Sequence, residues 1–173
     1  MNVIWNTTKM QVIIMGKTQS IPSKKMYQEL EVMYKRGRKR SFRFTGKRAD
    51  REIIKPLLTH RPHEYCLTIL LDSDAYIIGY ECVAKGTKDS IGVQPCDIVR
   101  TAILTNATFI ITYHNHPTGE AKPSDEDISF TQRLDIACSF MNIRLMDSFI
   151  YSDFGPNYSF RQHKKLLPLP KQG

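Results

Sequence analysis

The chain has 173 residues, 41% of them hydrophobic and 24% charged, so it is long enough for one self-sufficient core and ordinary in composition for a globular protein. No apolar run approaches the roughly 18–20 residues of a membrane helix, and collagen-like and disordered classes are excluded too. The net charge of +8 is uneven: residues 1–60 hold 14 basic and 4 acidic side chains, residues 61–173 hold 11 and 13, as for a basic module joined to a faintly acidic one.

The opening residues have no basic region followed by a long apolar stretch, so no secretory signal is expected and the compartment is read as cytoplasmic. Met10 to Met15 (MQVIIM) predicts a strand. Residues 22–35 predict a helix, with Met26, Leu30 and Met33 on one stripe. Lys35, Arg36, Arg38, Lys39, Arg40, Arg43, Lys47 and Arg48 then follow without an acid. Such a window can neutralise several phosphates of DNA or RNA, and Tyr34, Phe42 and Phe44 lie among the charges as stacking groups. It can equally be a solvated basic face or a surface for an acidic protein. Residues 49–59 predict a short helix, with Pro56 a threat to its continuity.

From residue 64 the texture changes. Glu64 to Leu71 reads as a buried strand, Asp72-Ser73-Asp74 as a turn, and Ala75 to Val83 as the second arm of a hairpin. Residues 86–90 read as a loop. Pro95 opens a helix to about Thr105, with Ile98, Val99, Ala102 and Ile103 inward. Ala107 to Tyr113 is a β-branched central strand. A second helix is expected from Ser124 to about Met141, with Ile128, Leu134, Cys138 and Met141 at helical spacing. Arg144 to Tyr151 and Asn157 to Phe160 complete the strands, and the tail reads as loose. The alternation implies an α/β domain with a mixed sheet flanked by helices. Cys66, Cys82, Cys96 and Cys138 form no C-x-x-C pair and are read as reduced core residues.

The chemistry concentrates in His114-Asn115-His116-Pro117-Thr118-Gly119 and Pro123-Ser124-Asp125-Glu126-Asp127. Two histidines at i and i+2 on a strand point to one side. A Pro/Gly turn reverses the chain, and Asp127 falls in the first turn of the next helix. Two imidazoles and a carboxylate, with a fourth position open, suit catalytic zinc. Ser124 and Asp127 also read as a plain capping box, and the histidines as a polar strand end.

His-x-His-Pro followed by Ser-x-x-Asp resembles the JAMM (JAB/MPN) metalloprotease motif. The fuller pattern is similar to that of the bacterial RadC-like JAB domain proteins. The resemblance spans roughly residues 49–162 and includes Leu70-Leu71-Asp72, Gly86-Thr87, and Pro95 with Arg100. It implies an α/β fold of JAB/MPN (cytidine-deaminase-like) type: a curved mixed β-sheet flanked by helices. A basic N-terminal segment (1–48) would precede it and a loose tail (163–173) follow. It implies His114, His116 and Asp127 as ligands of one zinc per chain, and Ser124 as the oxyanion donor. Glu64, opening the first long strand, would be the general base, with Glu81 the competitor. The implied activity is zinc-dependent amide hydrolysis, peptide or isopeptide, on a protein or peptide substrate, under a nominal DNA-repair label. Where the family carries Asp-His, this chain has Asp147-Ser148, with Asp147 left as a possible partner of a ligand histidine. An HNH nuclease reading fails, because those letters mark separated positions in a ββα-metal unit. The alternative is a nucleic-acid-binding accessory protein that uses the basic segment, its JAB domain a silent scaffold.

Overall fold

The computed structural model describes residues 42–85 and 92–167, together with two strands nearer the N-terminus. Those strands, β1 (Gln11–Gln19) and β2 (Tyr27–Lys35), pair antiparallel in a unit that ends at Ser41. The expected strand from Met10 is thus present, but the helix expected over 22–35 is replaced from Tyr27 onward by a strand. The reason is visible in the letters: Leu30, Val32 and Tyr34 alternate at period two, and β1 offers a ladder along the whole segment.

The second unit, Phe42–Gly173, begins with a helical run in three pieces: α1 (Gly46–Ala49), a π-helical turn (Asp50–Ile54) and α2 (Lys55–Leu58). Pro56 does not break it. A proline lacks the N–H that would bond back into the previous turn, and the chain widens into the π turn just before that position. Next come β3 (Tyr65–Leu71), β4 (Ile77–Lys85), α3 (Pro95–Leu104), β5 (Phe109–Asn115), α4 (Asp125–Phe140), β6 (Arg144–Tyr151) and β7 (Tyr158–Ser159). They form one sheet in the order β4-β3-β5-β6-β7, with β5 and β6 parallel and the other neighbours antiparallel. The mixed sheet flanked by helices is the architecture the sequence implied.

Strands β3 and β5 are buried on both faces, which is why YCLTILL and FIITYHN read as nearly unbroken apolar runs. Cys66, Leu70, Ile110 and Leu145 face α3 and α4, packing on Ile98, Ala102, Leu134 and Cys138. Leu67, Ile69, Leu71, Ile111 and Tyr113 pack on the other side against Ala49, Ile53, Ile54 and Leu58. Each fully buried Leu or Ile contributes roughly 1.5–3 kcal/mol by leaving water. Ile103, expected inward, and Met141, expected on one stripe with Leu134 and Cys138, are about half exposed. Ile103 is the next-to-last residue of α3, and Met141 caps the C-terminus of α4. Cys66 and Cys138 are buried as expected, whereas Cys82 and Cys96 are exposed; all four are free thiols. The 86–90 loop and the end of the tail lie outside the described residues.

Candidate metal centre

Strand β5 runs between β3 and β6 and delivers His114 and then His116 beyond its end. A hydrogen bond from Gly119 N to the His116 carbonyl (2.9 Å) closes the turn that follows. Gly119 has φ +76°, a backbone region that favours glycine. Its carbonyl accepts from Asp153 N (3.0 Å) and Ser152 Oγ (3.2 Å), which ties the loop to the segment after β6. Gly119→Ala is expected to destabilise the fold by about 1–3 kcal/mol, chiefly through φ, as measured by denaturant unfolding. A Cβ there would also meet the Phe154 ring at 2.5 Å, but that exposed ring can swing away.

The chain returns to α4 through a capping box. Ser124 Oγ accepts from Asp127 N (3.1 Å), and Asp127 Oδ2 accepts from both Ser124 N (2.8 Å) and Ser124 Oγ (2.7 Å). The box and the ligand reading therefore coexist, because the box aims the carboxylate at the histidines. Asp127 Oδ1 stands 3.0 Å from His114 Nε2 and Oδ2 stands 3.3 Å from His116 Nε2. The candidate ligand atoms of His114, His116 and Asp127 all lie within 4.8 Å of one another. Ser124→Ala removes the cap and is expected to cost about 1 kcal/mol of stability, read as a lower melting temperature of the metal-free protein.

The donor chemistry of this cluster fits a metal ion. His114 Nε2 is buried and makes no well-directed hydrogen bond, although a carboxylate oxygen lies beside it. Two imidazole nitrogens and an anionic oxygen meet at one point, as a divalent cation requires. Burial opposes the charge on Asp127, but the two imidazoles outweigh it and hold the carboxyl far below the usual carboxylate range. His116 is pushed above its ordinary value: its bond to Asp127 dominates against burial, with further help from the charges of Asp127 and Glu64. A hydrogen bond to the Glu120 backbone adds to the shift and orients the His116 ring.

Glu64 directly precedes β3. The last β3–β5 pair is Cys66 with His114, so two residues further out Glu64 comes up beside His116, on whose ring its charge acts. Glu81 lies on the edge strand β4, opposite Thr68. Its neighbours are Thr101, Asp97 and Arg100 of α3, and burial pushes its carboxyl up to about 7. Asp147 does not partner a ligand histidine. It accepts hydrogen bonds from Ser159 Oγ (2.6 Å), Ser148 N (2.7 Å) and Arg161 N (2.9 Å), fastening β7 to β6. Ser148 is buried with Thr112 (2.9 Å between hydroxyl oxygens) and Thr131 in a small hydroxyl cluster. Of the basic window, Lys35 ends β2 and residues 36–41 are outside the described set. Arg43 bridges to Tyr76, Lys47 is exposed on α1, and Arg48 bonds Glu52 (3.0 Å) and lies 3.9 Å over the Phe42 ring. Phe42 and Phe44 pack on the core rather than standing free to stack. Asn115, between the two histidines, is the site residue that sequence reasoning passed over; its position inside the motif was the available signal.

A mixed sheet whose central strand ends in two histidines, answered by an aspartate from the next helix, defines a JAB-type domain with a candidate metal centre. The family model for the RadC-like JAB domain matches residues 44–166, and the chain belongs to that family. It is 41% identical over 103 residues to a UPF0758 protein of Chromohalobacter salexigens, covering 60% of this chain and 46% of that one. A UPF0758 protein of Stutzerimonas stutzeri is 38% identical over 108 residues (62% and 48%), and one of Azotobacter vinelandii 37% over 108 (62% and 48%). The chain thus spans about half the length of the curated relatives it matches. The JAB superfamily includes metalloproteases. Among the described residues no helix is long and apolar enough to cross a membrane.

Proposed function

We propose that this domain is a zinc-dependent hydrolase of JAMM type that cleaves amide bonds, peptide or isopeptide, in a protein substrate. The observation that carries the reading is the convergence of His114, His116 and Asp127 on one point, with the Glu64 charge felt at that point. His114, His116 and Asp127 would hold the ion, one per chain. Bound there, zinc would lower the pKa of a coordinated water to about 7 and polarise the scissile carbonyl.

The remaining work falls to the chain. Glu64 takes a proton from the attacking water and passes it to the departing amine nitrogen, so water is divided between the two products. The Ser124 hydroxyl, which donates to Asp127 Oδ2 here, can turn outward and donate to the developing oxyanion.

The test is metal content, by mass spectrometry on protein purified without chelator or metal resin. About one zinc per chain is expected, with loss in His116→Ala. A protein that takes up no zinc when it is supplied overturns the reading. A pH dependence follows as well. The raised pKa of His116 means that its pairing with Asp127 stabilises the metal-free fold below about pH 6.5, the unfolded value. That stability fades as pH rises through the folded value. Zinc needs the neutral imidazole, so the zinc-induced rise in melting temperature is expected to grow over the same interval. A scan of both forms from pH 6 to 9 checks the opposite slopes.

A further inference from the structure

We infer that Asn115 is a positioning residue for Glu64: its carboxamide grips the chain on both sides of Glu64 and sets where that carboxylate stands relative to the ligand histidines. The inference rests on the hydrolase reading above and adds a residue to it.

Alternation along a strand sends the Asn115 side chain to the face opposite His114 and His116. There it is 3% exposed. Its Oδ1 accepts the backbone N–H of Tyr65 (2.9 Å), and its Nδ2 donates to the backbone carbonyl of His63 (3.0 Å). The two bonds bracket Glu64. They also fix the amide's orientation, since an N–H must meet the oxygen and a carbonyl must meet the nitrogen.

The position in the sheet explains why a side chain is used. Paired residues of β3 and β5 run from Leu71–Phe109 to Cys66–His114 and stop there. Residues 63–65 therefore approach β5 without a continuing ladder, and the Asn115 side chain takes the ladder's place. A leucine or valine at 115 would fill the space but leave both part-buried peptide groups without this partner. Three consecutive residues thus carry two metal ligands and the clamp on the base, so metal and base share one rigid support. A general base must come within about 2.6–3.2 Å of the proton it takes, and a 1 Å misplacement can cost about 100-fold in rate.

The experiment uses the full chain loaded with cobalt(II), whose visible spectrum reports the metal's surroundings without any substrate. Wild type, Glu64→Gln, Asn115→Ala and Asn115→Asp are compared for cobalt stoichiometry, for the spectrum at low pH, and for the pH of the alkaline spectral transition. The expected result is full stoichiometry and an unchanged low-pH spectrum in all four. The transition in Asn115→Ala is expected to move most of the way to that of Glu64→Gln. Asn115→Asp, which keeps the acceptor for Tyr65 and loses the donor to His63, falls between. If the transition stays at the wild-type pH in Asn115→Ala while Glu64→Gln displaces it, Asn115 is only structural, whatever its melting temperature, and the inference fails. Loss of cobalt from the Asn115 variants also overturns it, because the residue would then be holding the histidines. If Glu64→Gln moves nothing, Glu64 is not the base and the inference falls with it. If wild type binds no cobalt, the metal reading itself has failed.

Discussion

Asp127→Asn is expected to weaken zinc binding by more than 100-fold while the metal-free fold still forms with its helix cap in place, at a cost in stability set by the lost charge. The substitution separates the helix cap this carboxylate makes from the ligand role proposed for it. As the third residue of α4, Asp127 accepts Ser124 N and Ser124 Oγ, and a carboxamide oxygen can still do so. As the proposed ligand it would supply negative charge and an anionic oxygen, and a carboxamide supplies neither. Losing an outer partner of a ligand alone costs 10–100-fold in metal affinity, so losing a ligand costs more. The expected price in stability is about 0.3–1 kcal/mol, from the charge at the helix N-terminus, plus the lost pairing with His116. Asp127→Ala abolishes binding too, but it also breaks the box and adds roughly 1 kcal/mol of destabilisation. Zinc titration and thermal unfolding of both variants give the answer. An Asp127→Asn protein that keeps wild-type affinity would leave Asp127 as a helix cap and nothing more.

Why the box and the ligand set could not be ranked from sequence is now plain: they are the same atoms. Ser124-x-x-Asp127 is a strong local helix signal, and local signals survive folding, so the start of α4 was legible. Whether the carboxylate also faces two imidazoles depends on the path of residues 117–123, which Gly119 and its bonds to Ser152 and Asp153 determine. Strands β3 and β5 were legible for another reason. Burial on both faces leaves an unbroken apolar run that only an inner strand tolerates at that length. The segment 27–35 was misread because Met26, Leu30 and Met33 fit one period while Leu30, Val32 and Tyr34 fit another. The deciding fact is the pairing with β1, whose partners lie 8 to 24 residues back along the chain. Ile103 and Met141 satisfy the helical period too, yet both stand at the C-terminal ends of their helices and are about half exposed. Asn115 was illegible on its own. Its meaning lies in the register of β3 on β5, which no local pattern encodes.

Glu64→Gln is expected to lower turnover of any hydrolysed peptide by 10²- to 10⁴-fold, the usual contribution of a general base, with zinc content and KM little changed. Glutamine keeps the shape and one hydrogen-bonding oxygen of the carboxylate but cannot accept a proton. The control is Glu81→Gln, and the two carboxylates are easily confused, because a perturbed pKa is a common mark of a functional group. Glu81 carries such a mark: burial lifts it to about 7 against an ordinary 4.5. The cause, however, is its position on the edge strand under α3, where Thr101, Asp97 and Arg100 surround it. The site histidines do not figure among those influences, whereas the Glu64 charge acts directly on His116. An acid whose pKa rises on folding is neutral in both states below the unfolded value. The folded state then loses stability as pH climbs through the interval up to the folded value, since the unfolded chain ionises first. Glu81→Gln removes that loss. It is expected to turn over substrate within a few-fold of wild type and to melt higher than wild type at pH 7, but not at pH 4. Paired pH–melting curves and initial rates of the two variants check both halves. A large loss of turnover in Glu81→Gln with normal turnover in Glu64→Gln would reverse the assignment of the base.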